Sequence, residues 1–333
     1  MTHRIETVAE LEACIGAAGV PVKMKIIDHL DATAARWIAA SPVAFLGFGS
    51  DAGPAVTLAG GAAGFVARKD RSVLRLPLAT IDDVSAIAVG RGAGALFLIP
   101  GVGETLRANG RVTALDGEAV EIAIEECFVH CAKALIRSDF WTAASEPAPT
   151  EASAFVDAAR FLALATMDGE GRIDVSPKGD PAGLLIRMSG DHATLAERPG
   201  NRLAFGYRNM IEQPRVAALG VIPGAGSVVQ MTGEAHLSTD EAIRAPFTVE
   251  GKVPLLATVI ESASPAVRPS HALARAALWP AAEAPADIDA AATLVAHLKL
   301  NKEKGVQATL LRLAVTRGTV AGGLAQNYKT DLY

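Results

Sequence analysis

The chain is poor in aromatic residues, poor in cysteine, and has no excess of positive charge. Aromatics make up 5% of its 333 residues and cysteine occurs three times. The formal net charge is −5. A phosphate backbone needs a basic face, so this balance argues against nucleic acid as a bulk electrostatic partner and leaves room only for a local basic pocket. Cys14, Cys127 and Cys131 are too few for a disulfide framework, which sets a reducing, cytoplasmic setting as the expectation. Long apolar runs are also missing. The longest, such as Ala93 to Pro100, fall well short of the ~20 residues a bilayer crossing needs, so no membrane role is expected. The opening "MTHRIETVAELEAC" is polar and acidic and carries no signal-peptide pattern.

What is abundant is small and apolar. Half of the residues are hydrophobic and 31 are glycine, the composition of a packed globular protein long enough for more than one core. The chain also repeats itself. "LFLIPGVGETLRANGRV" (Leu96 to Val112) returns as "ALGVIPGAGSVVQMTGEA" (Ala218 to Ala235). "SPVAFLGFGSDAGPAVTLAGGAAGFV" (Ser41 to Val66) parallels "ARFLALATMDGEGRIDVSPKGDPAGLL" (Ala159 to Leu185). "HCAKALIRSDFW" (His130 to Trp141) parallels "RPSHALARAALW" (Arg268 to Trp279). Three anchors in one order define a duplicated unit of roughly 120 to 140 residues. The acidic, Pro-containing "TAASEPAPTEAS" joins the two copies as a linker. The resulting division is 1–145 for the first unit, with N-terminal helices, and 152–333 for the second, with C-terminal helices.

Within each unit short apolar strands and hairpin turns dominate, as in "FLALATM" followed by "GEGRIDVSP". Helices are expected at the edges: "TVAELEACIGA", "EASAFVDAARFL", "ADIDAAATLVAHLKL", and residues 26–41, where Ile26, Ile27, Leu30, Ala34, Trp37 and Ile38 recur at helical spacing. The pattern predicts a mainly β protein with peripheral helices, one small antiparallel barrel per unit.

The densest polar cluster lies in the second unit. "DVSPKGDPAG" and "ERPGNRLAFGYRN" supply Lys178, Arg198, Arg202 and Arg208 as cations, with Ser176, Asn201 and glycine-exposed amides as neutral donors. Arginine binds oxyanions bidentately and lysine as a point charge, so the set suits a phosphate. Two polar surface turns would read the same way, and the residues alone leave both readings open. "IPGVGE" lacks the Gly-Lys-Ser/Thr ending of a P-loop, and "GRGAGAL" enters a strand where a dinucleotide fingerprint would open a helix. "CFVHC" has no second Cys/His cluster beside it, so buried thiols are expected there and no metal. His29, His192 and His271 stand alone and read as structural. No catalytic residue can be named.

The stretches "DVSPKGDPAG", "RPGNRLAFGYRNMIEQPRVAALGVIPG", "IPGVGETLRANGR" and "HCAKALIRSDFW" resemble the predicted flavin-nucleotide-binding proteins related to pyridoxamine 5′-phosphate oxidase. The N-terminal "IIDHLDATAARWIAASP" and C-terminal "LAQNYKTDLY" resemble that family's ends. The resemblance implies split β-barrels that bind FMN between two barrels, normally supplied by two identical subunits. Here the motifs are divided. Lys178 and Asp180 are matched by Ala59 and Gly61 in the first unit, and "RPGNR" falls against "LPLAT" (Leu76 to Thr80). Glu104 and Arg107 are matched by Ser227 and Gln230 in the second, and Lys133 by His271.

Complementary loss implies two tandem FMN-binding split barrels forming an intramolecular pseudo-dimer with one composite site. That site would join Val175, Ser176, Lys178, Arg198, Asn201 and Arg202 with Glu104, Thr105, Arg107 and Lys133. The implied function is an FMN-dependent oxidoreductase acting on an unknown small molecule, as a monomer or a homodimer. Non-catalytic flavin binding or sensing, or a split barrel holding haem or F420, are the alternatives.

Overall fold

The computed structural model describes residues 3–200 and 202–333. Sixteen strands follow along the chain: β1 (Arg4–Ile5), β2 (Val43–Ser50), β3 (Gly53–Gly60), β4 (Ala67–Arg68), β5 (Val73–Pro77), β6 (Gly92–Leu98), β7 (Thr105–Leu115), β8 (Ala119–His130), β9 (Phe161–Met167), β10 (Ile173–Gly179), β11 (Ile186–Ser189), β12 (His192–Glu197), β13 (Arg215–Val221), β14 (Ser227–Ser238), β15 (Leu256–Glu261) and β16 (Ala266–Pro269). They form two antiparallel sheets. The first runs β3-β2-β6-β7-β8-β5-β4, and the second β10-β9-β13-β14-β15-β12-β11. Strand for strand the two orders are the same, which makes the two halves copies of one split-barrel topology. β1 and β16 are additions that both pair with β14.

The central strands are buried on both faces, which explains why they read as apolar runs and do not alternate with polar residues. In β2, Ala44, Leu46 and Phe48 point into the first barrel, while Val43 and Phe45 face the second. In β9, Leu162 and Leu164 point into the second barrel, while Phe161, Ala163 and Ala165 face the first. The outward faces meet in a shared core. Phe45 packs against Phe161 with ring centroids 5.2 Å apart, and Phe140 packs against Phe161 at 4.9 Å.

Two glycines set how close the barrels come. A Cβ on Gly60 would sit 2.1 Å from the carbonyl oxygen of Ala272, and one on Gly179 2.0 Å from that of Ala134. Each lies at the end of its strand against the short helix of the other unit, Lys133–Arg137 or His271–Ala276. Arg137 Nε donates to Gly179 O and Arg275 Nε donates to Gly60 O, both at 2.9 Å. The two halves therefore repeat the same contact in both directions.

The termini cross over. β1 pairs with β14, and Leu11 of the helix Val8–Ile15 is buried in the second barrel's core. The helix Ala290–Leu300 packs on the first barrel, where His297 Nδ1 lies 3.2 Å from Lys25 O and Asn301 Nδ2 donates to Ile26 O at 2.6 Å. The helix expected over 26–41 begins later, at Ala32, and runs to Ala40. Asp31 caps it by accepting from Ala34 N at 2.8 Å. Upstream, Ile27 bridges the end of β8 by exchanging backbone hydrogen bonds with Cys127. An N-cap and a bridge took residues the spacing alone assigned to helix. The helices Val306–Ala314 and Arg317–Thr330, which no periodicity announced, complete the C-terminal layer.

Gly179→Ala and Gly60→Ala should each lower stability in chemical denaturation by about 1–3 kcal/mol, the cost of overpacking against backbone that cannot yield. Gly318→Ala, where a Cβ meets nothing within 4 Å in a helix, should be neutral or stabilising by up to about 1 kcal/mol.

Candidate functional site

A cavity of about 320 Å³ opens between the barrels, lined from both units. β7 and the segment after β8 bring Arg107, His130, Lys133 and Arg137. β10, the end of β12 and the loop after it bring Ser176, Lys178, Asp180, Glu197, Arg198 and Arg202. Of the residues singled out in the sequence, Ser176, Lys178, Arg198, Arg202, Arg107 and Lys133 thus share one wall. Val175 is fully buried in the core between the barrels and does not line the cavity. Thr105 is buried at the start of β7 with its Oγ1 unpartnered among the described residues. Glu104 accepts from Tyr328 Oη at 2.9 Å and faces a neighbouring cavity. Asn201 lies outside the described residues.

Most of the cations are already held by carboxylates. Arg107, 2% exposed, forms an ion pair across the barrel interface with Asp174 and lies 3.5 Å from Ser176 Oγ. Its Nε is buried without a partner among the described residues. Lys178 pairs with Glu197, and its Nζ sits 4.5 Å from the centre of the Tyr207 ring. Glu197 also accepts from Thr258 Oγ1 at 2.6 Å. Asp180, fully buried, lies between Arg198 Nε at 2.6 Å and Arg137 Nε at 3.4 Å. Lys133 pairs with Asp331 at 2.7 Å. Arg202 has no ion pair among the described residues, and its guanidinium rests against Gly16. Six cations line the cavity against the carboxylates Asp180, Glu197 and Asp331, with Asp174 behind Arg107. The wall is therefore net positive.

The sequence missed three parts of this arrangement. "FGYRNMIE", whose first five residues close the polar cluster and for which no helix was expected, is the helix Phe205–Glu212. Its N-cap is Ala204, whose side chain cannot accept, so its first turn, which lines the cavity, has no side-chain cap. Such an end attracts anions. The C-terminal tail is the second part. Arg137 donates to Leu332 O at 2.9 Å, and Arg198 lies 5.2 Å from the Tyr333 ring centre. Nothing in the local pattern of "NYKTDLY" signals that it crosses the chain to reach the first unit. The third is Arg137 itself, legible only as the residue in register with Arg275.

Burial dominates the electrostatics. It holds His130 well below the usual imidazole range, helped by Arg107 and Lys25, so this ring is neutral at pH 7. It pushes the Asp180 carboxyl up against the pull of Arg137 and Arg198, and it raises the Tyr207 phenol well above its ordinary value, with Glu197 adding to the rise.

His130 has a depressed pKa in the fold, so its contribution to stability is present above the unfolded value of about 6.5 and is lost as pH falls below it. Unfolding free energy should decline from pH 6.5 to 5. His130→Asn should flatten that slope, by less than about 1.4 kcal/mol per pH unit, in denaturation series at each pH.

The family model described as pyridoxamine 5′-phosphate oxidase matches residues 148–279. No curated protein matches the chain. Among solved structures the chain is similar to the HupZ protein of Group A Streptococcus, at 17% identity over 34% of this chain and 88% of that one, with a TM-score of 0.28. An F420 reductase aligns at 14% identity over 35% of this chain and 98% of that one, TM-score 0.28. A pyridoxamine 5′-phosphate oxidase-related, FMN binding protein from Nostoc punctiforme aligns at 18% identity over 39% and 76%, TM-score 0.22. Residues 148–279, the unit that brings Lys178, Arg198 and Arg202 to the cavity, are the part of the chain that is similar to the pyridoxamine 5′-phosphate oxidase family.

Proposed function

We propose that the chain is an FMN-dependent oxidoreductase with one flavin site, the cavity between the barrels. The observation that carries this reading is the excess of cations over carboxylates in a wall built from both units. A dianionic phosphate would complete that balance. Arg202, Arg198 and the uncapped N-terminus of the helix Phe205–Glu212 suit the phosphate. The buried Nε of Arg107, which has no partner among the described residues, is a further donor for a ligand oxygen. Leu203, Phe205 and Leu256 supply apolar wall for a flat ring system. FMN would supply hydride and electron transfer, while the protein orients it, screens it from water and places positive charge beside it.

The pseudo-symmetric position supports a single site. There Ala59 replaces Lys178, and Gln230, the counterpart of Arg107, donates to Val56 O at 3.1 Å. Neither supplies a cation. One other reading has an observation behind it. Neutral His130 in the cavity wall is a ligand type that haem iron accepts, and a Soret band in the purified protein would favour haem over flavin.

Purified protein should carry one FMN per chain by absorbance, and two per chain would overturn the single-site reading. Arg202→Ala and Lys178→Met should weaken FMN binding by about tenfold or more in fluorescence titrations. Arg75→Ala, whose side chain pairs with Asp116 and Glu121 away from the cavity, should leave it unchanged. Reduction by NAD(P)H followed by turnover of a small-molecule acceptor separates an enzyme from a flavin binder.

A further inference from the structure

A second cavity, of about 690 Å³, adjoins the first. The two share His130, Cys131, Lys133, Arg202 and Asp331 as wall. The second is roofed by the C-terminal helices, and its lining is mostly aliphatic: Val22, Leu294, Leu298, Leu311, Val315 and Leu324. One of its polar groups stands out. Lys25 is 6% exposed, and its Nζ has no hydrogen bond or ion pair among the described residues. Its Nζ lies over the Phe128 ring, 5.2 Å from the ring centre.

An ammonium that faces an apolar chamber without an acceptor is costly, and a ring face offsets only part of the cost. The neighbouring acids are engaged elsewhere: Glu104 accepts from Tyr328, and Asp331 holds Lys133. Burial lowers Lys25 to about 8, so it is still mostly charged at neutral pH. The chamber thus offers a large apolar volume with Lys25 unpaired at one side and Arg202, also without an ion pair among the described residues, at the wall it shares with the first cavity. Glu104 in the same wall disfavours a second negative charge on whatever enters. Aliphatic walls disfavour sugars and nucleotides, whose polar groups would go unpaired.

We propose that this chamber binds an apolar molecule bearing a single carboxylate, with the carboxylate paired to Lys25 and the apolar body against the C-terminal helices. Its presentation to a flavin in the adjoining cavity rests on the functional reading above, whereas the binding itself does not. The class of substrate that follows is an amphipathic organic acid.

The test uses the full chain, with and without FMN, titrated calorimetrically with 2-naphthoate and with the neutral 2-naphthalenemethanol. The acid should bind once per chain and about tenfold or more tighter than the alcohol. Lys25→Met and Lys25→Gln should abolish that preference, Lys25→Arg should retain it, and FMN affinity should stay unchanged in all three. Equal affinity for the two probes in the unmodified protein would overturn the proposal. So would an undiminished preference for the acid in Lys25→Met and Lys25→Gln, or a loss of FMN binding in their place, which would assign Lys25 to the first cavity. If the acid preference holds while no FMN binds, the flavin reading fails and the chamber assignment stands.

Discussion

Everything in this protein depends on the face-to-face packing of two sheets from one chain. Phe45, Phe161 and Phe140 fill the shared core, and Gly60 and Gly179 let each strand end touch the backbone of the opposite helix. Interiors packed to crystal density are unforgiving of even one added carbon. That contact also creates the cavity. Arg107 reaches its carboxylate only across the interface, and Arg137 reaches Asp180 in the same way. Once the barrels bury these groups, removing either partner of a pair leaves an uncompensated charge, which is strongly unfavourable.

The charges show how two copies of one topology diverged. Around the cavity, carboxylates and arginines are interleaved, so that each acid neutralises part of a cationic wall and holds its donors in place. At the pseudo-symmetric position the same backbone contact survives through Arg275 and Gly60, but Ala59 is simply core. Geometry was retained in both halves and charge in one. Packing alone explains the first, since both strand ends must pass the same helix backbone. The second follows if only one half still has an anion to hold.

Much of the fold was legible because its signals are local. Apolar runs such as "FLALATM" and "RVAALGV" are strands where expected, the anchors of the repeat occupy equivalent strands and helices, and the hairpin turn after Met167 closes with Asp168 N bonded to Arg172 O at 3.1 Å. The gathering of Lys178, Arg198 and Arg202 with Arg107 and Lys133 was legible only through the complementary division of motifs between units. Residues 26–31 misled because their apolar spacing comes from packing between β8 and the C-terminal helix, a tertiary demand that imitates helical periodicity. The helix Phe205–Glu212 was missed for the opposite reason. Its charged, glycine-containing sequence has little local preference, and the strands around it hold it in place.

The sequence by itself determined the duplication, the strand character of each half and which half keeps its cations, because these rest on residue type and short-range period. Only the tertiary structure decided that the termini exchange barrels, that the last three residues touch Lys133, Arg137 and Arg198, and that Lys25 is left alone in an apolar chamber. Those facts join residues from 135 positions apart (Arg198 and Tyr333) to 299 (Lys25 and Leu324). No local pattern encodes such pairings, because they exist only once the two sheets have packed and fixed where each chain end can lie.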